Sequence, residues 1–131
     1  MISDEELVSK AKSAIRPRKN ASAKLIADVG AALVTDSGNV YVGVCFDTHE
    51  GSGLCAERAA IASMVTAGES RIIKIVAVWT DGTIISSCGA CREWIWQVDK
   101  KNWDTEVIIG KNKSVTLRKP LPYHWHNPDS K

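Results

Sequence analysis

Ile72-Ile73-Lys74-Ile75-Val76-Ala77-Val78-Trp79 is almost unbroken in apolar, largely β-branched residues, and Asp81-Gly82 closes it with turn chemistry. A run this short and this rich in isoleucine and valine reads as a buried strand, because a helix needs about ten or more residues to present a face. Its neighbours decide the fold. Upstream, Cys55 to Ala67 is alanine-rich, with Ile61, Met64 and Val65 available for packing and Gly68 placed as a C-terminal cap; this is a helix. Downstream, Thr83-Ile84-Ile85 makes a short extension and another helix opens near Cys88. That helix carries Trp94, Ile95 and Val98 on an apolar side and closes at Lys100-Lys101-Asn102, before Glu106-Val107-Ile108-Ile109-Gly110 forms the next strand. Strands alternating with helices imply an α/β sandwich on a mixed sheet.

Working outward, Leu25 to Thr35 is apolar and strand-tolerant, Asp36-Ser37-Gly38-Asn39 is a turn, and Val40-Tyr41-Val42-Gly43-Val44 resumes the pattern, so a β-hairpin is expected. Ser3, Asp4, Glu5 and Glu6 form a capping-box start, after which Leu7, Val8, Ala11, Ala14 and Ile15 share one helical face. Arg16-Pro17-Arg18-Lys19-Asn20 breaks that helix into a loop. From Val115 to Lys131 the prolines 120, 122 and 128 suggest an ordered extension over the body. Of the five tryptophans, Trp79 and Trp94 read as core, and Trp96 and Trp103 are undecided.

The length of 131 residues suits one domain spanning residues 1–131, and 44% hydrophobic with 24% charged residues is an ordinary globular composition. A net charge of +2 does not advertise a nucleic-acid footprint. No apolar run approaches the roughly 20 residues of a membrane span, and the start MISDEELVSK carries acids where a signal peptide carries bases, so a cytoplasmic protein is the expectation. Four cysteines in such a chain fit reduced thiols or metal ligands better than disulfides.

Cys88-Gly89-Ala90-Cys91 is the strongest local signal, since a C-x-x-C pair opening a helix aims two thiolates at one point beside the helix's positive end. A catalytic zinc site takes three protein ligands and leaves the fourth position for water. Cys55 is the best candidate for the third, and it stands two residues before an acid, Glu57. Taken singly, each piece has an ordinary reading: the C-x-x-C as a thioredoxin-like redox pair, Cys55 as a small buried hydrophobe, Glu57 as a first-turn carboxylate. Cys-Ala-Glu opening one helix and Cys-x-x-Cys opening the next, with one strand between, is far rarer than its parts.

With these residues in place, the chain resembles the cytidine deaminase superfamily. Cys55-Ala56-Glu57-Arg58 is similar to the family's C-A-E-R, and Cys88-Gly89-Ala90-Cys91-Arg92 to its P-C-G-A-C-R. Val29-Gly30-Ala31-Ala32-Leu33 resembles the V-G-A-A-L strand of the small, free-nucleoside branch, and Leu121-Pro122-Tyr123-His124-Trp125 its L-P-x-x-F. That ending also resembles the Tyr-x-Trp ending of blasticidin S deaminases. The resemblance covers residues 25–129 and implies a three-layer α/β/α sandwich with a mixed five-stranded sheet. It further implies one Zn²⁺ per chain on Cys55, Cys88 and Cys91, and a homotetramer. In the implied reaction an activated water attacks C4 of a cytosine ring while Glu57 carries its proton to the ring nitrogen and the leaving amine. Arg58 is expected to offset the negative charge of three thiolates. Ala56 is expected at the substrate, Phe46 and Trp125 as stacking aromatics, and Tyr123 in the same ending as a substrate contact.

Three departures stand out. Ser87 replaces the usual proline before the C-x-x-C, and Glu93 replaces a glutamine after it. The strand that offers the family's asparagine and glutamate to the ribose is followed by a loop one residue shorter. Counting forward from Gly43 places those positions on Cys45 and Asp47, while counting backward from Cys55 places them on Val44 and Phe46. Strand register is fixed by packing and deletions collect in loops, so the forward count is preferred. Asp47 then keeps a shortened sugar contact, whereas Cys45 does not replace an amide. Asp47 and Glu50 face either a cationic substrate tail or solvent, and His49, His124 and His126 lack the spacing of a shared metal site. The expected partner is a small nucleoside, cytidine or deoxycytidine, or else blasticidin S. Two readings of other classes stay open: a base deaminase acting on polynucleotide, which needs a basic track, and a nonenzymatic zinc module, which needs a fourth ligand and leaves Glu57 idle.

Overall fold

The computed structural model describes residues 1–48 and 52–121. His49, Glu50, Tyr123, His124, Trp125 and His126 lie outside the described residues.

The longest strand is β2 (Leu25–Thr35), which pairs antiparallel with β3 (Val40–Phe46) on one side and with β4 (Ile72–Trp79), the middle strand of the sheet, on the other. Next to β4 runs β6 (Glu106–Gly110) in parallel, and β7 (Lys113–Thr116) closes that side antiparallel to β6. Two strands of two residues each, β1 (Arg18–Lys19) against the start of β2 and β5 (Ile84–Ile85) against the end of β4, bring the sheet to seven strands. Four of the five longer strands, β2, β3, β4 and β6, lie where the sequence places strands, and β7 overlaps the start of the segment expected as an extension. The mixed sheet and the α/β class stand as read, and the strand count is corrected by these two short pairings. Arg18–Lys19, expected as loop, is drawn into β1 by backbone pairing with Leu25 and Ile26.

The helices are α1 (Asp4–Ser13), α2 (Ala56–Thr66) and α3 (Gly89–Val98), with a 3₁₀ turn at Lys100–Asp104. Ser3 caps α1 by accepting from the Glu6 N–H at 3.1 Å, as the capping box predicts. Gly68, at φ +91°, lets the chain leave α2 in a conformation that glycine adopts without strain. Strand alternation sorts the core into two faces. Ala32, Val34, Val76, Val78 and Ile108 pack against Leu7 and Ala11 of α1. Ala31, Leu33, Ile75, Ala77 and Val107 pack against α2 and α3 through Ala60, Ile61, Met64 and Ile95. This is the three-layer α/β/α arrangement.

Two glycines set how closely the helices lie on the sheet. A Cβ on Gly30 would stand 2.2 Å from the Ala11 carbonyl oxygen, and one on Gly43 would stand 2.4 Å from the Ala60 nitrogen. Neither contact is tolerable, so α1 and α2 rest directly on backbone. The second contact matters for function, because it fixes the N-terminus of α2 against β3.

The tryptophans depart from expectation. Trp79 ends β4 beside the turn at Asp81-Gly82 and is 48% exposed, and Trp94 is 38% exposed. On α3 the inward positions are Cys91, Ile95 and Trp96, which leaves Trp94 off the buried stripe. Trp96 and Trp103 pack together, ring centres 5.8 Å apart. Of the extension expected from Val115 to Lys131, the part up to Leu121 packs on the body through Leu117 and Leu121, both buried, and residues 122–131 lie outside the described residues. No helix among the described residues is long and apolar enough to cross a membrane.

Candidate metal centre and active-site cleft

Cys55 is the N-cap residue of α2 and Cys88 that of α3, both in extended conformation, and neither side chain makes a capping hydrogen bond. Residues that usually hold an N-cap turn their oxygen back onto the helix. Here the thiols are not spent on a cap, and the positive ends of both helices lie beside them. Cys91, one turn into α3, is fully buried. The Sγ atoms of Cys55 and Cys88 are 3.6 Å apart and those of Cys88 and Cys91 3.2 Å, and all three lie within 4.8 Å of one another. Three thiolates at about 2.3 Å around a tetrahedral zinc sit about 3.8 Å from each other. The donor set therefore fits zinc in type and spacing, and among the described residues it is the cluster of this kind.

Glu57, in the first turn of α2, is 5% exposed. Burial pushes its carboxyl up, while its own backbone N–H, the Cys91 thiol and the Arg58 charge pull the other way without cancelling the rise. Burial also raises the Cys91 thiol, with the Glu57 charge adding to it. The Cys88 thiol is raised by burial too, but the Cys91 N–H and the thiols of Cys91 and Cys55 outweigh that and leave it below its ordinary value. Glu57, Ala56, Cys55 and Cys88 line one cleft of about 140 Å³. A carboxylate that is buried and yet open to a cavity beside three metal donors can exchange protons with whatever occupies that cavity.

Arg58 lies across the outside of the cluster. Its Nη2 is 3.5 Å from Cys55 Sγ and 3.5 Å from the Gly53 carbonyl, and its guanidinium stands 5.6 Å from the centre of the Trp94 ring. The Cys55 thiol raises the Arg58 pKa.

A second cleft, of about 360 Å³, adjoins the first and shares Cys45 and Cys55 with it. Phe46, expected as a stacking aromatic, and Asp47, expected on the sugar side, both line it. On β3, Tyr41 and Cys45 pack towards the core under α2, and Gly43 touches α2 itself, so the forward-counted Cys45 lies on that face, while Asp47 follows the end of the strand and is exposed. Phe46 has the opposite parity and is 44% exposed. Asp28 was missed by the sequence reading: it lines the same cleft and accepts a hydrogen bond from Cys45 Sγ at 2.9 Å. The available signal was an acid inside an otherwise apolar strand. Ser87 is buried near Glu57, and Glu93 accepts from Gln97 one turn along α3. Tyr123 and Trp125 lie outside the described residues.

The model of the cytidine and deoxycytidylate deaminase zinc-binding region matches residues 1–107. The chain belongs to the cytidine and deoxycytidylate deaminase family. Within that family, a blasticidin-S deaminase from Bacillus cereus is 30% identical, across 74% of this deaminase and 76% of its own length. The solved cytidine deaminase from Mycobacterium tuberculosis is 21% identical with a TM-score of 0.81, covering 97% of this chain and 100% of that one. The cytidine deaminase from Burkholderia pseudomallei is 26% identical with a TM-score of 0.77, covering 95% and 100%. The chain is thus a hydrolytic deaminase with a zinc-binding region. This removes the nonenzymatic zinc module, and the cluster adds its own objection: three thiols, with no fourth protein donor among the described residues.

Proposed function

We propose that the protein hydrolyses the exocyclic amine of a free cytosine nucleoside, converting cytidine or deoxycytidine to the uracil nucleoside and ammonia, as one deaminase domain spanning residues 1–131. The observation that carries this reading is the buried Glu57 carboxylate opening, with Cys55 and Cys88, onto a single cleft at the three-cysteine cluster.

Cys55, Cys88 and Cys91 would hold the zinc, which supplies Lewis acidity that makes a water nucleophilic near neutral pH. Glu57 would take one proton from the attacking water and pass it to the ring nitrogen, then take the proton of the hydroxyl so added to the ring and pass it to the amine, so that the C–N bond breaks, ammonia leaves and a carbonyl remains. A raised carboxyl suits this traffic, because it takes up a proton at less cost than an exposed glutamate. Arg58 lowers the negative charge at the thiolates through Cys55. Ala56 lets the ring approach, Phe46 offers it an apolar face, and Asp47 lies on the sugar side. Tyr123 and Trp125 complete the substrate set in this reading.

Blasticidin S is the second candidate substrate, favoured by the identity to the Bacillus cereus enzyme and by the shortened loop after β3. A polynucleotide substrate is disfavoured by the net charge of +2. The zinc-loaded protein is offered cytidine, deoxycytidine and blasticidin S in turn, following loss of the cytosine absorbance band and release of ammonia. Turnover of a plain nucleoside supports a role in pyrimidine salvage. Turnover of blasticidin S alone replaces that role with antibiotic detoxification, and turnover of none overturns the cytosine reading.

The assembly in this reading is a homotetramer. An apolar groove between α2 and α3, with Val65 50% and Trp94 38% exposed, offers a face for a further copy. Light scattering should then give about 57 kDa, four times the 14.3 kDa chain; a monomer mass contradicts it. A cytoplasmic setting keeps the three thiols reduced for metal.

A further inference from the structure

We propose that Asp28 is a specificity-determining residue: its carboxylate receives a hydrogen-bond-donating substituent, a hydroxyl or an ammonium, on the part of the substrate that lies away from the deaminated ring. The proposal rests on the cytosine-nucleoside reading above, which places the ring beside Glu57.

The backbone turns Asp28 towards the cleft. Ala27, 1% exposed, adopts φ +60°, a conformation costly for any residue with a Cβ, and the pairing of β2 with β3 slips between Ile26 and Gly30. Such a bulge re-aims the side chain beside it. The consequence is visible at Asp28, whose Oδ1 accepts from the Cys45 thiol at 2.9 Å across the strand pair. The cleft of about 360 Å³ then runs from Cys55, a metal donor, to Asp28, with Asp47 opening onto the same space. The part of a substrate that projects beyond its reacting ring enters this space.

The chemistry of that end is one-sided. An ionised carboxylate only accepts, and has room for about four hydrogen bonds. The Cys45 thiol, a weak donor, occupies one of them at Asp28. No ion pair among the described residues involves Asp28 or Asp47. A ligand that covers Asp28 without offering a donor strips water from the carboxylate and returns nothing. One that brings a hydroxyl or an ammonium makes a charge-assisted bond, roughly twice as strong as a neutral one. A phosphate at this end meets two carboxylates, so free nucleosides are preferred to nucleotides.

The test compares kcat/KM for cytidine, 2′,3′-dideoxycytidine, 3′-amino-2′,3′-dideoxycytidine and cytidine 5′-monophosphate, using the zinc-loaded wild type, Asp28→Ala and Asp28→Asn. The wild type is expected to prefer cytidine to the dideoxy compound by about 10- to 100-fold. Asp28→Ala should reduce that preference at least fivefold, losing far more on cytidine than on the dideoxy compound. A preference for the amino compound over cytidine that Asp28→Asn abolishes identifies the donor as a cation; the reverse order identifies it as a hydroxyl. If Asp28→Ala does not fold, judged by its melting curve and zinc content, the near-isosteric Asn variant carries the same comparison. Equal losses on all the nucleosides, or none, overturn the proposal while leaving the deaminase reading intact. No turnover of any cytosine nucleoside by the wild type overturns that reading, and the proposal falls with it.

Discussion

Arg58 reaches back over the metal cluster at 3.5 Å from Cys55 Sγ, and three thiolates around a divalent zinc leave a complex of net charge −1 that opposes ionisation of a water. Arg58→Ala should therefore lower both the rate and the retention of zinc against a chelator; a variant normal in both contradicts the charge-compensating role. Trp94 faces the same guanidinium from α3, and a half-exposed cation–π contact is worth about 0.5–1 kcal/mol. Trp94→Ala should show the same two defects, smaller. Away from the site, Glu69 accepts from the Tyr41 hydroxyl at 2.6 Å and from Asn39 at 2.9 Å, and these bonds hold its carboxyl at about 2. Because its folded value lies below its ordinary 4.5, the stabilisation is present above 4.5 and is lost as the pH falls towards 2. Urea midpoints should drop across that window, and Glu69→Gln should flatten the drop. At this scale the metal donors and Glu57 were legible because their signal is residue type and spacing. Asp28 and Trp94 were not, because one depends on a bulge and the other on which stripe of α3 turns inward.

At the scale of elements, the packing of α2 on β3 decides where Cys55 and Glu57 stand. Gly43→Ala would place a methyl 2.4 Å from the Ala60 nitrogen and 2.7 Å from the Ala56 carbonyl, both backbone atoms at the start of α2. Such overpacking costs about 1–3 kcal/mol, and the relief available is to lift the helix. The expected result is a lower urea midpoint together with weaker zinc binding; an unchanged midpoint contradicts direct helix-on-backbone contact. The long strands and the helices were legible from periodicity and caps, since each buries a face of its own. β1 and β5 were not, for two residues have no period and are strands only through the partners beside them. β7 was hidden for a related reason. Lys113–Thr116 is mostly exposed and polar, and backbone bonds to β6, rather than burial, make it a strand.

Across the whole molecule, one sheet carries α1 on one face and α2 with α3 on the other, and the site forms where the N-termini of α2 and α3 meet. Helix N-termini, a buried acid and a convergent thiol set are brought together by tertiary packing, although they lie 33 residues apart in the chain between Cys55 and Cys88. We propose that this junction is a zinc-dependent deaminase centre with Glu57 as its proton carrier. The most direct measurement is zinc content and ammonia release from cytosine nucleosides for the wild type and Glu57→Gln side by side. One zinc per chain is expected in both proteins, with turnover in the wild type alone. Turnover by Glu57→Gln at the wild-type rate, or a wild type that carries zinc and releases no ammonia, would contradict it.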